Sequence, residues 1–315
     1  MIGRIVEVAD NHRHLSVKRG FLEIRETGQA AGKLGQVPLD DVAALIANAH
    51  GISYTNNLLV ALAERGCPFV LCAANHNAVG MLLPIDGHHV QARRIDAQIM
   101  ARAPLNKQLW AAVVKSKLAQ QAAALEATGV SGVLVSALIR KVKSGDVDNI
   151  EAQGARRYWS RLFGEGFRRE QQCTDKNALA NSLLNYGYTV LRATTARAVV
   201  AAGLHPSIGI HHSNDANAMR LVDDLMEPFR PLVDLRVWQL LQAGYQEVCA
   251  HAKKQLALLM YEDMQSSLGA TPVMVCTQRL ATSLAQVYLK ERERLDLPLP
   301  GMPLALMPVC SPEDH

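Results

Sequence analysis

LNKQLWAAVVKSKLAQQAAALEATG, residues 105–129, decides what kind of fold this chain builds. Leu105, Leu109, Val113, Val114, Leu118 and Ala122 recur at helical spacing and form one apolar stripe, and Gly129 closes the pattern. The spacing predicts a long amphipathic helix. Everything downstream continues in that style, and everything upstream does not.

Downstream the chain is rich in Ala, Leu, Arg and Gln. VSALIRKVKSGD (135–146) and DNIEAQGARRYWSRLFG (148–164) read as two helices joined by a KSGD turn. NALANSLLNYGYTVLRATTARAVVAAG (177–203) is a long helical pattern interrupted only by Gly187, and helical patterns return at 233–247 and 277–295. Upstream, IGRIVEVA (2–9) and HLSVKRGFLEIRE (14–26) alternate like strands, with KRG and ETG as turns. VAALIANAHGIS (42–53) and NNLLVALAERGCPFVLCAA (56–74) read as strand, short helix and strand, with Gly66 suited to closing the helix. PFVLC and VGMLLPI are short enough to be buried strands. The character changes after PIDGHH. The expected fold class is therefore α+β: a small β-rich N-terminal domain (1–86), then a larger all-α domain (87–294). The Pro-rich end without periodicity (295–315) reads as a flexible tail.

The 315 residues are nearly half apolar and 20% charged, which supports a sizeable core and argues against wholesale disorder. The six cysteines lack metal-ribbon spacing, so reduced thiols and a cytoplasmic setting are expected. There is no apolar leader at the N-terminus and no apolar run of membrane-spanning length. Residues 1–86 hold 7 Lys and Arg against 8 Asp and Glu, residues 87–200 hold 17 against 8, and residues 201–315 hold 9 against 13. A basic segment beside an acidic one suits a polyanion next to a divalent cation, although solvated helix faces would look the same.

The acidic segment contains GLHPSIGIHHSNDANAMRLVDDLMEPFRP (203–231). Asp223 and Asp224 stand four and three residues before Glu227, so in a helix either pair shares a face and repels, which asks for a compensating cation. Pro228 and Pro231 predict a break near Glu227. Far away in sequence, Glu151 sits in a basic run beside Arg156 and Arg157. Two or three carboxylates with a neutral imidazole make a plausible shell for Mg²⁺ or Mn²⁺. No phosphate-binding P-loop and no dinucleotide fingerprint is present, which disfavours nucleotide hydrolysis and nicotinamide chemistry. His88 and His89 have no acidic cluster beside them and read as structural.

These segments, in this order, resemble the Cas-one family, the spacer-acquisition endonucleases and integrases of CRISPR adaptation. IEAQGARRYW (150–159), NSLLNYGYTVLRA (181–193) and GIHH with DDLMEPFRPLVD (209–212 and 223–234) carry the likeness over roughly residues 1–290. LCAANHNAVGMLLPIDGHH (71–89) and NKQLWAAVVKSKLAQQAAAL (106–125) look like the type II branch.

The resemblance implies that Glu151, His212 and Glu227 are the catalytic and metal-binding residues, with adjacent His211 as the alternative histidine and Asp224 as an accessory acid. Glu227 stands where other branches carry Asp. It further implies a β-sandwich-like N-terminal dimerisation domain, a helical catalytic and DNA-binding domain, and a homodimer. The implied partners are the small companion subunit Cas-two, double-stranded DNA (protospacer fragments and the CRISPR repeat) and, for type II, the effector nuclease. The expected reaction is metal-dependent attack of a 3′-OH on the repeat. A DNA-binding scaffold without activity, or a metal-dependent phosphodiester hydrolase, would use the same surfaces. Candidate phosphate contacts are Arg140, Lys141, Lys143, Arg156, Arg157, Arg168 and Arg169, with Arg93, Arg94, Lys115 and Lys117 behind them.

Overall fold

The computed structural model describes residues 3–28, 32–170 and 177–301. The chain divides into two compact units, at Gly87/His88.

The first unit holds β1 (Arg4–Val8), β2 (Arg13–Lys18), β3 (Phe21–Glu26), β4 (Lys33–Pro38), β5 (Val42–Ala47), β6 (Ile52–Tyr54), α1 (Asn56–Glu64), β7 (Phe69–Cys72) and β8 (Ala78–Leu82). They make two four-stranded sheets, ordered β1-β5-β7-β8 and β4-β3-β2-β6. In the first sheet β5 pairs in parallel with both β1 and β7, and β8 returns antiparallel on β7. A parallel strand between two neighbours is covered on both faces, which is why VAALIA is apolar throughout and buried at every position. The core joins the sheets and α1, with Leu15, Leu22, Leu45, Leu58, Leu62 and Phe69 packed together. Helix α1 starts where Thr55 caps it, its hydroxyl accepting from Leu58 N–H at 3.3 Å.

The second unit is mostly helical: α2 (Gln91–Ile99), α3 (Ala103–Ala127), α4 (Val133–Ser136), α5 (Ile150–Phe163), α6 (Ala178–Ala201), α7 (Arg220–Met226), α8 (Arg230–Gln242) and α9 (Ala250–Leu258). A hairpin of β9 (Asp263–Ser266) and β10 (Gly269–Pro272) comes next, and α10 (Val273–Tyr288) ends the set. No described helix is long and apolar enough to cross a membrane. The opening stretch is α3, whose stripe of Leu109, Val113, Val114 and Leu118 is buried. Helix α6 runs unbroken through Gly187.

Three expectations need correction. The helix expected over VSALIRKV does not form: the single turn of α4 is followed by a 3₁₀ turn at Ile139–Lys141, while the expected KSGD turn is present as a 3₁₀ turn at Ser144–Asp146 around Gly145, which takes the left-handed conformation (φ 76°). The hairpin β9–β10 makes the second unit something other than all-α. Residues 295–301 are tied down rather than loose. Leu299 N–H donates to Gln265 at 3.1 Å, Gln120 donates to Leu299 carbonyl at 2.8 Å, and Arg279 pairs with Asp296 at 2.6 Å. The rest of the expected tail, 302–315, lies outside the described residues.

Candidate active site

Glu151 is placed by the start of α5. Asn149 adopts a left-handed conformation and caps the helix, its side chain accepting from Ala152 N–H at 3.3 Å. Asp146 takes two more of the first-turn amides, Ile150 N–H and Glu151 N–H, each at 2.9 Å. Three otherwise unpaired amides of the helix end are thereby satisfied, and the first turn is held rigidly. Gly154 lets α5 lie tight against α3, since a Cβ there would sit 2.2 Å from the Leu118 methyl. That close approach brings Glu151 to Lys117.

Lys117 is not the phosphate contact that its basic surroundings suggest: it is only 8% exposed, and its ammonium lies between two carboxylates. It contacts Glu151 Oε1, and it stands 2.5 Å from Glu227 Oε2. Glu227 arrives by a different route. Helix α7 gives way at Glu227–Phe229 to a 3₁₀ turn containing Pro228, and α8 resumes at Arg230. The expected break therefore falls at Glu227, which is 5% exposed. Its other oxygen faces Arg230 Nε at 3.0 Å. Burial pushes the Glu227 carboxyl up, but Arg230 and Lys117 outweigh it and hold the group below the usual carboxylate range.

The acidic residues beside Glu227 each have separate partners. Asp223 forms a two-pronged contact with Arg192, at 2.8 and 2.9 Å, and accepts from Asn217 at 2.7 Å. Asp224 is fully buried. It gathers the loop that carries the histidines, accepting from Ile210 N–H at 2.6 Å, His211 N–H at 3.0 Å and His212 N–H at 3.3 Å. It also holds His212 Nδ1 at 2.5 Å. With Nδ1–H donated to Asp224, the lone pair of the ring lies on Nε2. Asp224 raises the His212 pKa above its ordinary value against the opposing effect of burial, and Glu227 and Asp223 add to the rise. Trp110 of α3 stacks on His211 at 4.3 Å and meets the edge of His212 at 5.8 Å. His205 belongs elsewhere: its backbone is clamped by Gln98, at 2.8 and 3.1 Å.

A second buried network adjoins the first. Asp234 of α8 accepts from the Tyr188 hydroxyl, and Arg230 and Arg169 lie over the Tyr188 ring at 5.0 and 5.3 Å. Arg169 also donates to Asn181 and Asn185, at 3.0 and 2.8 Å, so it serves the fold as well as any ligand. Of the other candidate phosphate contacts, Arg140, Lys141, Arg156, Arg157 and Arg168 are exposed. Lys143 pairs with Asp148 at 2.8 Å, and Arg157 donates to Leu134 carbonyl at 3.0 Å.

The structure thus brings Glu151 and Glu227 onto a single positive charge and sets His212 within electrostatic reach of Glu227. Among the described residues no three His, Cys, Asp or Glu side chains form a ready-made metal-holding group. The donor set nonetheless suits a hard divalent cation. Both carboxylates already converge on one cation, and Glu227 Oε2 is buried without a well-aligned hydrogen-bond donor. The Nε2 of His212 would add a nitrogen donor once the ring has lost its second proton. Sequence reasoning missed the roles of Lys117, Asp146 and Trp110. Only the first is visible in the pattern, as a charged residue between Val114 and Leu118 on the apolar side of α3.

A family model described as CRISPR associated protein Cas1 matches residues 6–268. A CRISPR-associated endonuclease Cas1 of Neisseria meningitidis serogroup C is 38% identical over 236 residues, covering 74% of this chain and 75% of that protein. One from Pyrobaculum aerophilum is 27% identical over 301 residues, covering 89% of this chain and 98% of that protein. Among solved structures, a casposase bound to integration product superimposes with a TM-score of 0.77 at 17% identity, covering 93% of this chain and 92% of that chain. A Cas1 protein from Thermotoga maritima gives 0.72 at 15% identity, covering 93% and 99%. At such identities the likeness to the solved structures is one of fold. The family match and the Neisseria relative carry further: this chain belongs to the Cas1 family of CRISPR-associated endonucleases.

Proposed function

We propose that the protein is a metal-dependent DNA endonuclease and integrase of CRISPR adaptation, joining the 3′-OH ends of captured DNA fragments to the CRISPR repeat by transesterification. The observation that carries this reading is the meeting of Glu151 and Glu227, 76 residues apart in sequence, on one buried cation beside a His212 oriented by Asp224. Glu151, Glu227 and His212 Nε2 would hold Mg²⁺ or Mn²⁺. Bound there, the ion would supply Lewis-acid neutralisation of charge on the phosphoryl oxygens.

The remaining chemistry belongs to the chain. Asp224 fixes the imidazole orientation through Nδ1, which leaves Nε2 as the nitrogen available to a ligand. Arg230 keeps Glu227 ionised. The half-buried first turn of α5 holds Glu151 still, which limits the geometric search for an in-line attack. Exposed Arg140, Lys141, Arg156, Arg157 and Arg168 supply a basic surface for phosphates, and each contact made would steepen the salt dependence by about 0.9 on duplex DNA. No nucleophilic side chain is required, since the attacking group is the substrate's own hydroxyl.

The partners belong to the same reading. The Cas1-like fold of a solved Cas6-RT-Cas1–Cas2 complex (TM-score 0.72, 16% identity, 95% of this chain and 36% of that chain) supports a small Cas2-type companion. A homodimer through the N-terminal unit, a type II effector nuclease and a cytoplasmic setting complete the proposal.

The test compares purified protein on DNA with free and with blocked 3′ ends, in Mn²⁺ and in EDTA. Strand transfer that needs Mn²⁺ and a free 3′-OH, and that is lost in Glu227→Gln and Glu151→Gln while DNA binding persists, is the expected result. Equal reaction at blocked ends points to a hydrolase, and activity retained in Glu227→Gln overturns the site.

A further inference from the structure

Two carboxylates brought together repel each other, and Glu227, the buried one of this pair, also resists losing water. In this protein the difficulty is met by Lys117. Its ammonium touches Glu151 Oε1 and Glu227 Oε2, while the neighbouring Val114 and Leu118 are fully buried. The contact with Glu227 Oε2 is close but poorly aligned for a hydrogen bond, so the ammonium acts there as a compact point charge. It occupies the role a metal ion would fill on the same two oxygens.

We infer that Lys117 is the resident counter-cation of the metal-free site, that it competes with the divalent ion for Glu151 and Glu227, and that it is displaced when the ion binds. This rests on the ligand assignment proposed above. An ammonium and a divalent cation cannot share those oxygens without strong mutual repulsion, because the low-dielectric surroundings screen them poorly. Arg230 approaches Glu227 from its other oxygen and need not move. Lysine suits the task, since its four-carbon stem lets the charged end swing without disturbing α3. The charge also explains why α3 carries a lysine on its buried side at all.

The experiment measures Mn²⁺ binding by calorimetry to the full-length chain, to Lys117→Met and to Lys117→Gln, with Glu151→Gln as reference. Melting temperatures are recorded in EDTA and in Mn²⁺. Removing the competitor should tighten Mn²⁺ binding about tenfold or more. The metal-free lysine variants should melt lower than the parent and gain more from Mn²⁺ than it does. Lys117→Gln, which keeps donor groups without charge, serves where Lys117→Met fails to fold. Unchanged or weaker Mn²⁺ binding in the lysine variants, with binding abolished in Glu151→Gln, overturns the competition while leaving the ligands standing. Mn²⁺ binding that Glu151→Gln does not weaken removes the ligand assignment and this inference with it.

Discussion

Replacing Asp224 by alanine should loosen the histidine loop by a calculable amount. Asp224 accepts four hydrogen bonds, from the amides of Ile210, His211 and His212 and from the His212 ring. Bonds to a charged acceptor contribute about 1.5–3 kcal/mol each. His211 is exposed and His212 half-buried, so water can replace much of what those two lose. Ile210 is buried, and its amide would be left without an acceptor. Counting that amide in full and the others at a fraction gives a loss of about 3–4 kcal/mol. Urea titration read by circular dichroism measures it, and hydrogen exchange at residues 210–212 locates it.

Asp224→Asn provides the finer comparison. It keeps an acceptor for the backbone, but its NH₂ can turn toward Nδ1 and invert the tautomer, leaving Nε2 protonated. Nitrogen NMR of the His212 ring reads that inversion directly. A loss below about 1 kcal/mol in Asp224→Ala, with unchanged exchange at the loop, would refute the claim that this carboxylate organises the site.

Three other outcomes come from the packing. Burial pushes Asp234 up to about 7 from an ordinary 3.8, so between those values the folded protein keeps a proton that the unfolded chain has lost, and stability falls as pH rises through the window. Asp234→Asn should therefore gain in melting temperature relative to the parent between pH 5 and pH 8, and parallel curves would contradict this. Gly154→Ala should cost about 1–3 kcal/mol in urea unfolding, because the new methyl collides with the fully buried Leu118. Glu262→Ala should cost about 3–5 kcal/mol, since it removes a carboxylate that contacts the guanidinium of Arg236, which is 0% exposed.

The parts of the fold legible in the sequence are those with a strong local signal. The stripe of α3, the unbroken apolar run of β5 and the short α1 closed by Gly66 depend on neighbours in the chain, and they emerge as expected. VSALIRKV misleads because its apolar spacing suits a helix while the chain leaves α4 after one turn and is extended at Val142; the KSGD turn after it emerges as expected, with Gly145 left-handed. The β9–β10 hairpin escapes notice because its strands are four residues each, too short to establish an alternation. For the site, the residue types come through the family resemblance, and the break at Glu227 accords with proline chemistry. Lys117 could not be placed, since a charge on an apolar stripe reveals nothing of its partner when that partner is 34 or more residues away. The same holds for the fate of Asp223, Asp224 and Glu227: close in sequence, they separate toward Arg192, the His212 loop and Lys117.

The segment from Asp224 to Asp234 behaves as a phased device. Within eleven positions one carboxylate fastens a loop, a second meets two opposite charges, and a third sits under a tyrosine, with a tightened turn between the two helical stretches setting their relative rotation. Adding or removing a single residue there would rotate α8 against α7 by about 100°. Substitutions can be absorbed at such a joint, but changes of length cannot, and variation in this stretch should come as exchanged side chains at constant spacing.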